Sequence, residues 1–200
     1  MGRIGRHLIR LCLHAYYLIT ARLIGQDFAF RGIYSYARWV GMETFLRWTG
    51  AAIGEGTRIQ ETIIIQNAKN GCCRNLRIGK HVYVGPGCLM DLADAISIDD
   101  DAAISARVTI VTHSDVGARP LQKIFPRQSA PVRIQEGAWI GVNTTILHGV
   151  TIGERAVVGA CSLVNKCVPA AVVAYGTPCQ VVRDIRATEG QLGNCQNTTG

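Results

Sequence analysis

The chain has 200 residues, of which 48% are hydrophobic and 18% are charged, with 22 Gly and 6 Pro. This composition fits one folded domain and excludes a disordered or collagen-like chain. The net charge of +7 suits an anionic partner, but it does not distinguish a nucleotide, a phosphorylated metabolite, nucleic acid or an acidic membrane surface.

The first predicted element is a helix within an N-terminal helical extension over residues 1–50. Its basic start and apolar continuation resemble a signal peptide only loosely, because His14 interrupts the apolar run and no small-residue cleavage site follows. The uncharged stretch 11–21 is too short to span a bilayer. We therefore expect a cytoplasmic protein.

At helical spacing, this first segment separates into an apolar stripe and a basic face. The stripe contains Ile4, Leu8, Leu11, Ala15 and Leu18, and the basic face contains Arg3, His7, Arg10 and His14. Two interpretations remain open: the stripe packs on the domain, or it lies peripherally on an anionic membrane at its inner face. A second helical pattern, with Trp39, Phe45, Leu46 and Trp48, ends near residue 50.

Aliphatic residues recur every six positions through most of residues 51–186. They are Ile53, Ile59, Ile65, Ile78, Val84, Met90, Ile98, Ile104, Ile110, Ile134, Ile140, Ile146, Ile152, Val158 and Val164. A period of six is a multiple of the strand period and fits poorly to 3.6, so it predicts short strands that turn a corner every six residues. Three strands close one triangular coil, and stacked coils bury the aliphatic column. The predicted fold is an all-β solenoid.

Two further features accompany the repeat. Glycine often follows the aliphatic residue, and we attribute this to a corner that needs a permissive backbone. These glycines are Gly54, Gly79, Gly85, Gly141, Gly153 and Gly159. A long insertion over residues 113–131, rich in proline and basic side chains, interrupts the coils. Such a loop inside a compact repeat is usually functional, and His113 stands at its base.

The hexapeptides, Thr112-His113 before a long loop, and the later segments Trp139-Ile140-Gly141 and Gly149-Val150-Thr151-Ile152-Gly153 together resemble the hexapeptide-repeat acyltransferases. The resemblance covers residues 53–185. It is strongest to the sugar and polysaccharide-biosynthesis O-acetyltransferases, which include maltose and galactoside acetyltransferases. It implies a left-handed parallel β-helix, a homotrimer, and acetyl-CoA bound between neighbouring subunits, with no metal.

The resemblance also implies roles for individual residues. His113 would be the general base, and a neutral imidazole suits this role because it titrates near the working pH. The implied acetyl-CoA-binding residues are Trp139, Gly141, Gly159, Ala160, Lys166 and Arg183, and the implied acceptor-side residues are Tyr83, Gly85 and Asp91. Gly85 replaces an asparagine of the maltose-type enzymes, and Asp91 is offset by one from their aspartate. A maltose or galactoside acceptor is therefore not expected.

The sequence thus predicts an acetyl-CoA-dependent O-acetyltransferase that acts on a sugar hydroxyl of a glycan or glycan precursor in polysaccharide biosynthesis. An N-acetyltransferase acting on an amino sugar and a non-catalytic scaffold remain alternatives. A γ-class carbonic anhydrase is disfavoured, because its zinc needs clustered histidines and His81, His113 and His148 are isolated in the sequence. No nucleic-acid-binding module is recognisable. We expect the cysteines to be reduced and the tail 187–200 to be flexible.

Overall fold

The computed structural model describes residues 3–24, 41–60 and 62–186. It begins with helix α1 (Arg3–Leu23) and the short helix α2 (Met42–Trp48), and every coil of the solenoid follows them in the chain. The side chains of Phe45 and Leu46 in α2 are fully buried, as the second helical pattern predicts. Trp39 and the tail 187–200 lie outside the described residues.

Three sheets of short strands form the faces of the solenoid. Sheet A contains β1 (Ala52–Ile53), β4 (Leu76–Ile78), β7 (Ile96–Ile98), β12 (Val132–Ile134) and β15 (Thr151–Ile152). Sheet B contains β2 (Arg58–Ile59), β5 (Tyr83–Val84), β8 (Ala103–Ile104), β13 (Trp139–Ile140), β16 (Val157–Val158), β18 (Val172–Gly176) and β19 (Cys179–Asp184). Sheet C contains β3 (Ile64–Gln66), β6 (Leu89–Asp91), β9 (Thr109–Ile110), β14 (Thr145–Ile146) and β17 (Leu163–Val164).

The chain visits sheets A, B and C in turn, and equivalent strands of successive coils pair in parallel. The register places the aliphatic residue of each repeat on that of the next coil, for example Ile78 on Ile98 and Val84 on Ile104. Thirteen of the fifteen repeated aliphatic positions are buried, and Ile53 and Ile65 in the first coil are partly buried. The six-residue period therefore correctly predicted the solenoid and its core.

The repeated glycines serve a purpose other than the one expected from the sequence. None of the six has a positive φ, and the left-handed corner positions are occupied instead by residues such as Asp101, Arg107 and Asn143. A Cβ on Gly54 would lie 2.4 Å from the carbonyl carbon of Gly79 in the next coil. These glycines allow two coils to approach closely, so the prediction of backbone permissiveness was wrong for them.

Helix α1 packs with a different face from the one its apolar stripe suggests. Tyr17 and Thr20 are buried, and the His14 ring stacks on Trp48 with centroids 4.4 Å apart. Leu11 and Leu18 are 53% and 55% exposed. The interpretation in which the stripe packs on the domain is therefore wrong for these residues.

The insertion after sheet C is an ordered hairpin. Its stem pairs β10 (His113–Ser114) with β11 (Gln128–Ser129) in antiparallel fashion. A 3-10 turn, Pro120–Lys123, lies near its tip, and Ile124 and Phe125 are exposed there. This hairpin fixes the backbone of His113 at the edge of the solenoid.

The seven described cysteines are free thiols, and Cys73 and Cys88 lie in the core. Burial raises the pKa of the Cys73 thiol to about 11, so it packs as a neutral group.

Candidate active site

His113 and Asp91 form a close pair of titratable side chains at the edge of sheet C. His113 Nδ1 lies 2.5 Å from Asp91 Oδ2. Asp91 ends β6 in one coil, and His113 follows β9, which pairs with β6 in the next coil. The stacking of two coils in sheet C thus brings together residues that are 22 positions apart in the chain.

Protein donors surround both carboxylate oxygens of Asp91. Asn67 Nδ2 donates to Oδ1 at 2.7 Å, and the Thr112 backbone N–H donates to Oδ2 at 2.9 Å. The Ala93 N–H and the Thr112 hydroxyl complete this network. A role in acceptor binding stays a prediction for Asp91, but these contacts favour its acting on His113.

The hydrogen bonds keep Asp91 ionised although its side chain is only 3% exposed. Burial by itself would raise the pKa of the carboxyl, but donation from Asn67, His113 and the Thr112 backbone outweighs burial and lowers the pKa to about 2. An ionised carboxylate can only accept a hydrogen bond. The proton of a neutral His113 must therefore lie on Nδ1, which leaves the Nε2 lone pair available.

The His113 side chain is 23% exposed, so the imidazole is held from one side and accessible to solvent from the other. This arrangement can accept a proton from a hydroxyl or amine that approaches Nε2. This geometry is compatible with a general base, and that role stays a prediction for His113.

Sequence reasoning missed Asn67, which supports this pair from the preceding coil. Its backbone is left-handed, with φ of 54°, and it follows Gln66, which stacks on Asp91. The signal was available, because aligning Ile65 with Met90 in the six-residue repeat places residues 66 and 91 side by side. Thr112 was noticed only as part of a motif, and its fully buried hydroxyl also donates to the Asp91 carbonyl at 2.8 Å.

A second group of predicted site residues lies on sheet B. Tyr83 and Trp139 each pair with Ala103, so they stand at one register on the two strands that flank β8. Arg183 stands at the same register of sheet B, because it pairs with Val173 on the neighbouring strand. Trp139 is 55% exposed, and its Nε1 donates to Ser105 Oγ at 3.2 Å.

The corner that follows sheet B carries the remaining predicted residues of this group. Gly85, Gly141 and Gly159 directly follow β5, β13 and β16, and Ala160 comes next. Close stacking by itself explains Gly141, because a Cβ there would lie 2.5 Å from the Ala160 nitrogen. Within the described part of the chain, the backbone N–H groups of Val142 and Ala160 donate to no protein acceptor. This corner therefore offers hydrogen-bond donors to a ligand.

One chain does not bring all the predicted residues together. His113, Asp91 and the exposed Lys166 lie at the edge where sheet C ends. Tyr83, Trp139 and the glycine corner lie on sheet B and at the edge where sheet C begins. The width of sheet C separates the two groups within a single chain.

Comparison with known proteins identifies the family. The bacterial transferase hexapeptide family, six repeats, matches residues 131–166. Over 143 residues the chain is 30% identical to the galactoside O-acetyltransferase of Escherichia coli K12, covering 72% of this chain and 68% of that protein. This chain belongs to the hexapeptide-repeat acetyltransferases. It is 36% identical over 118 residues to the galactoside O-acetyltransferase of Lactococcus lactis, and it spans about half of that relative, 56% of its length.

The fold of this acetyltransferase is the left-handed parallel β-helix. A hexapeptide-repeat acetyltransferase from Vibrio cholerae, solved in complex with acetyl coenzyme A, superposes with a TM-score of 0.65 at 24% identity. The alignment covers 81% of this chain and 90% of that structure. Among the described residues, no group of three His, Cys, Asp or Glu side chains could hold a metal ion. None of the described helices is long and apolar enough to cross a membrane.

Proposed function

We propose that this protein is an acetyl-CoA-dependent O-acetyltransferase that acts on a sugar hydroxyl of a glycan or glycan precursor in polysaccharide biosynthesis. The contact between His113 and the ionised Asp91 carries the proposal, because acyl transfer to a hydroxyl needs a base at the attacking oxygen. The similarity to galactoside O-acetyltransferases supports a sugar hydroxyl as the acceptor class.

His113 performs the proton transfers of the reaction. Its Nε2 removes the proton of the acceptor hydroxyl as the oxygen attacks the thioester carbonyl carbon. The new C–O ester bond forms, the C–S bond breaks, and the imidazolium returns the proton to the departing sulfur. Asp91 stabilises the transient imidazolium by its negative charge and holds the ring orientation through Nδ1.

The acetyl-CoA site in this proposal is the corner beside sheet B. The Val142 and Ala160 N–H groups would donate to the amide carbonyls of the pantetheine arm. The exposed Trp139 ring offers an apolar surface beside that corner. Lys166 and Arg183 are cations suited to the nucleotide phosphates.

We further propose that the enzyme is a homotrimer with active sites between subunits. A base on one edge of sheet C and a donor site on its other edge cannot serve one reaction within a single chain. Packing the prisms around a threefold axis would place the His113 edge of one subunit against the sheet B corner of its neighbour. Closed cyclic symmetry is the usual solution for such unlike surfaces.

The Gly85 position argues against a maltose-type acceptor site. A Cβ on Gly85 would lie 2.7 Å from the Ala106 nitrogen, so an asparagine at this position would force the coils apart. The exposed Tyr83 ring remains beside this corner as a surface on which a sugar can pack. We therefore propose a larger glycan as the acceptor.

We also place the enzyme in the cytoplasm, peripherally at the inner face of the membrane.

A thiol-release assay tests the proposal with acetyl-CoA and a panel of free sugars, amino sugars, glycans and lipid-linked glycans. Turnover with a glycan hydroxyl, lowered about 100-fold or more by His113→Ala, is the expected result. The matched control is His148→Ala, since His148 occupies the equivalent edge one coil further along. Turnover that needs a free amine would replace O-acetylation with N-acetylation. Absence of turnover and of calorimetric CoA binding would favour a scaffold.

A further inference from the structure

Helix α1 presents an unpartnered apolar face to solvent. This face consists of Leu8, Leu11, Leu18, Ile19 and Leu23, which are 63%, 53%, 55%, 59% and 78% exposed. At 100° per residue these five side chains fall on one side of the helix. An exposed cluster of this kind marks an interaction site, whereas isolated exposed apolar residues do not.

The opposite side of the helix is already used for packing. Tyr17 is 5% exposed and Thr20 is 6% exposed, and Leu13 and Ala21 pack against the core. The ring of His14 stacks on Trp48 of α2. The domain therefore holds the helix by its less apolar side and leaves the more apolar side outward.

The charge of the helix indicates which partner this face fits. Its 21 residues include four arginines and no acidic residue. Arg22 lines a shallow open depression together with Leu18, Ile19 and Ala21, so a cation lies within the apolar face. The whole chain carries a net charge of +7. The helix has no carboxylate that could pair with Arg22 if two copies met through this face.

We propose that the apolar face of α1 binds the surface of a membrane rich in anionic phospholipid. The helix would lie in the interface plane, with its leucines among the acyl chains and Arg22 near the phosphates. Burial of apolar side chains and attraction to anionic lipid act together, which is the combination that stable peripheral attachment needs. The inference extends the proposed function, because it would concentrate the enzyme where lipid-linked glycans lie.

Vesicle flotation of the full chain tests this inference. The probes are vesicles of equal parts phosphatidylglycerol and phosphatidylcholine, and vesicles of phosphatidylcholine alone. We expect the protein to float with the anionic vesicles, to remain unbound with the neutral ones, and to be partly released by salt. The double variant Leu11→Ser/Leu18→Ser should lower the partition coefficient about tenfold or more.

The matched control is Val181→Ser/Val182→Ser, which removes apolar side chains that are 52% and 53% exposed in β19, at the other end of the solenoid. This control should float like the native chain. Equal binding to neutral vesicles, no binding to anionic ones, or unchanged binding of the α1 variant would overturn the inference. A lower mass of the α1 variant in lipid-free sedimentation would do so too, because it would assign the face to contact between copies.

The thiol-release assay separates this inference from the proposed function. With a water-soluble acceptor, both double variants should turn over at the native rate. Native turnover without flotation rejects the membrane site alone. Flotation without any turnover rejects the proposed function and leaves the membrane site in place.

Discussion

The imidazole of His113 and the carboxylate of Asp91 meet at 2.5 Å across two coils of sheet C. Three further residues hold the same carboxylate, so its position depends little on whether a substrate is present. The orientation and the tautomer of the proposed base are therefore set in advance of acceptor binding.

Asp91→Asn should lower kcat by about 100-fold, with little change in the KM for acetyl-CoA. The neutral amide can turn its NH2 group toward Nδ1, which favours the wrong imidazole tautomer and removes the charge that stabilises the imidazolium. Steady-state kinetics over a range of pH measure both effects. The control is Asp94→Asn, because among the described residues the Asp94 side chain accepts only the Ala95 N–H, at 2.7 Å. Equal losses in the two variants would rule out positioning through Asp91.

Asn67→Gly should lower kcat severalfold and leave the fold intact. Glycine keeps the left-handed backbone of Asn67, with φ of 54°, while the hydrogen bond to Asp91 is lost. Asn143→Gly is the matched control, because Asn143 has φ of 59° and its side chain accepts from Arg107 instead. A fall in kcat for Asn67→Gly but not for Asn143→Gly, with both variants still folded at the assay temperature, would support the positioning role.

Folding stability should decline between about pH 4 and pH 2 because of Asp91. Its pKa in the folded state is about 2, against a reference of 3.8, so the unfolded chain takes up this proton first as the pH falls. The ionised Asp91 carboxylate contributes about 2 kcal/mol to the free energy of unfolding. This contribution is complete above the pKa of the unfolded state and disappears as the pH approaches the pKa of the folded state. Urea unfolding at several pH values should show a shallower acid dependence for Asp91→Asn. An unchanged slope would contradict the assigned pKa.

Gly141→Ala should destabilise the fold by more than about 2 kcal/mol, because the new Cβ would meet the Ala160 backbone at 2.5 Å and separate two coils. Gly149→Ala tests backbone conformation instead: φ there is +78°, and the nearest atom to a new Cβ is 3.5 Å away. We expect the latter to cost only about 1 kcal/mol. Chemical denaturation compares the two, and equal losses would show that close approach is not the dominant constraint.

The coil, the core and the position of the proposed base can all be predicted from the order of the residues. A six-residue aliphatic period predicts coils whose strands all bury one aliphatic column, whereas the left hand of the β-helix was implied by the family resemblance alone. The same period places His113 at the start of the insertion, because Ile110, the last aliphatic residue of that tract, lies only three positions earlier. The family could be recognised for a related reason: the motif around Thr112-His113 is local in the chain.

Contacts between coils and elements could not be predicted in this way, because they depend on how distant segments pack. Asn67, Asp91 and His113 come into contact because successive coils stack. The six-residue period predicts this contact only after the insertions of unequal length between the repeats have been aligned. The role of Gly141 in close approach depends on the distance to the next coil. For α1, the apolar stripe predicted an amphipathic helix but not which side of it packs. Contacts with Trp48 and the first coil, which are distant from α1 in the chain, decide the packed side. The helix therefore buries Tyr17 and leaves its leucines exposed.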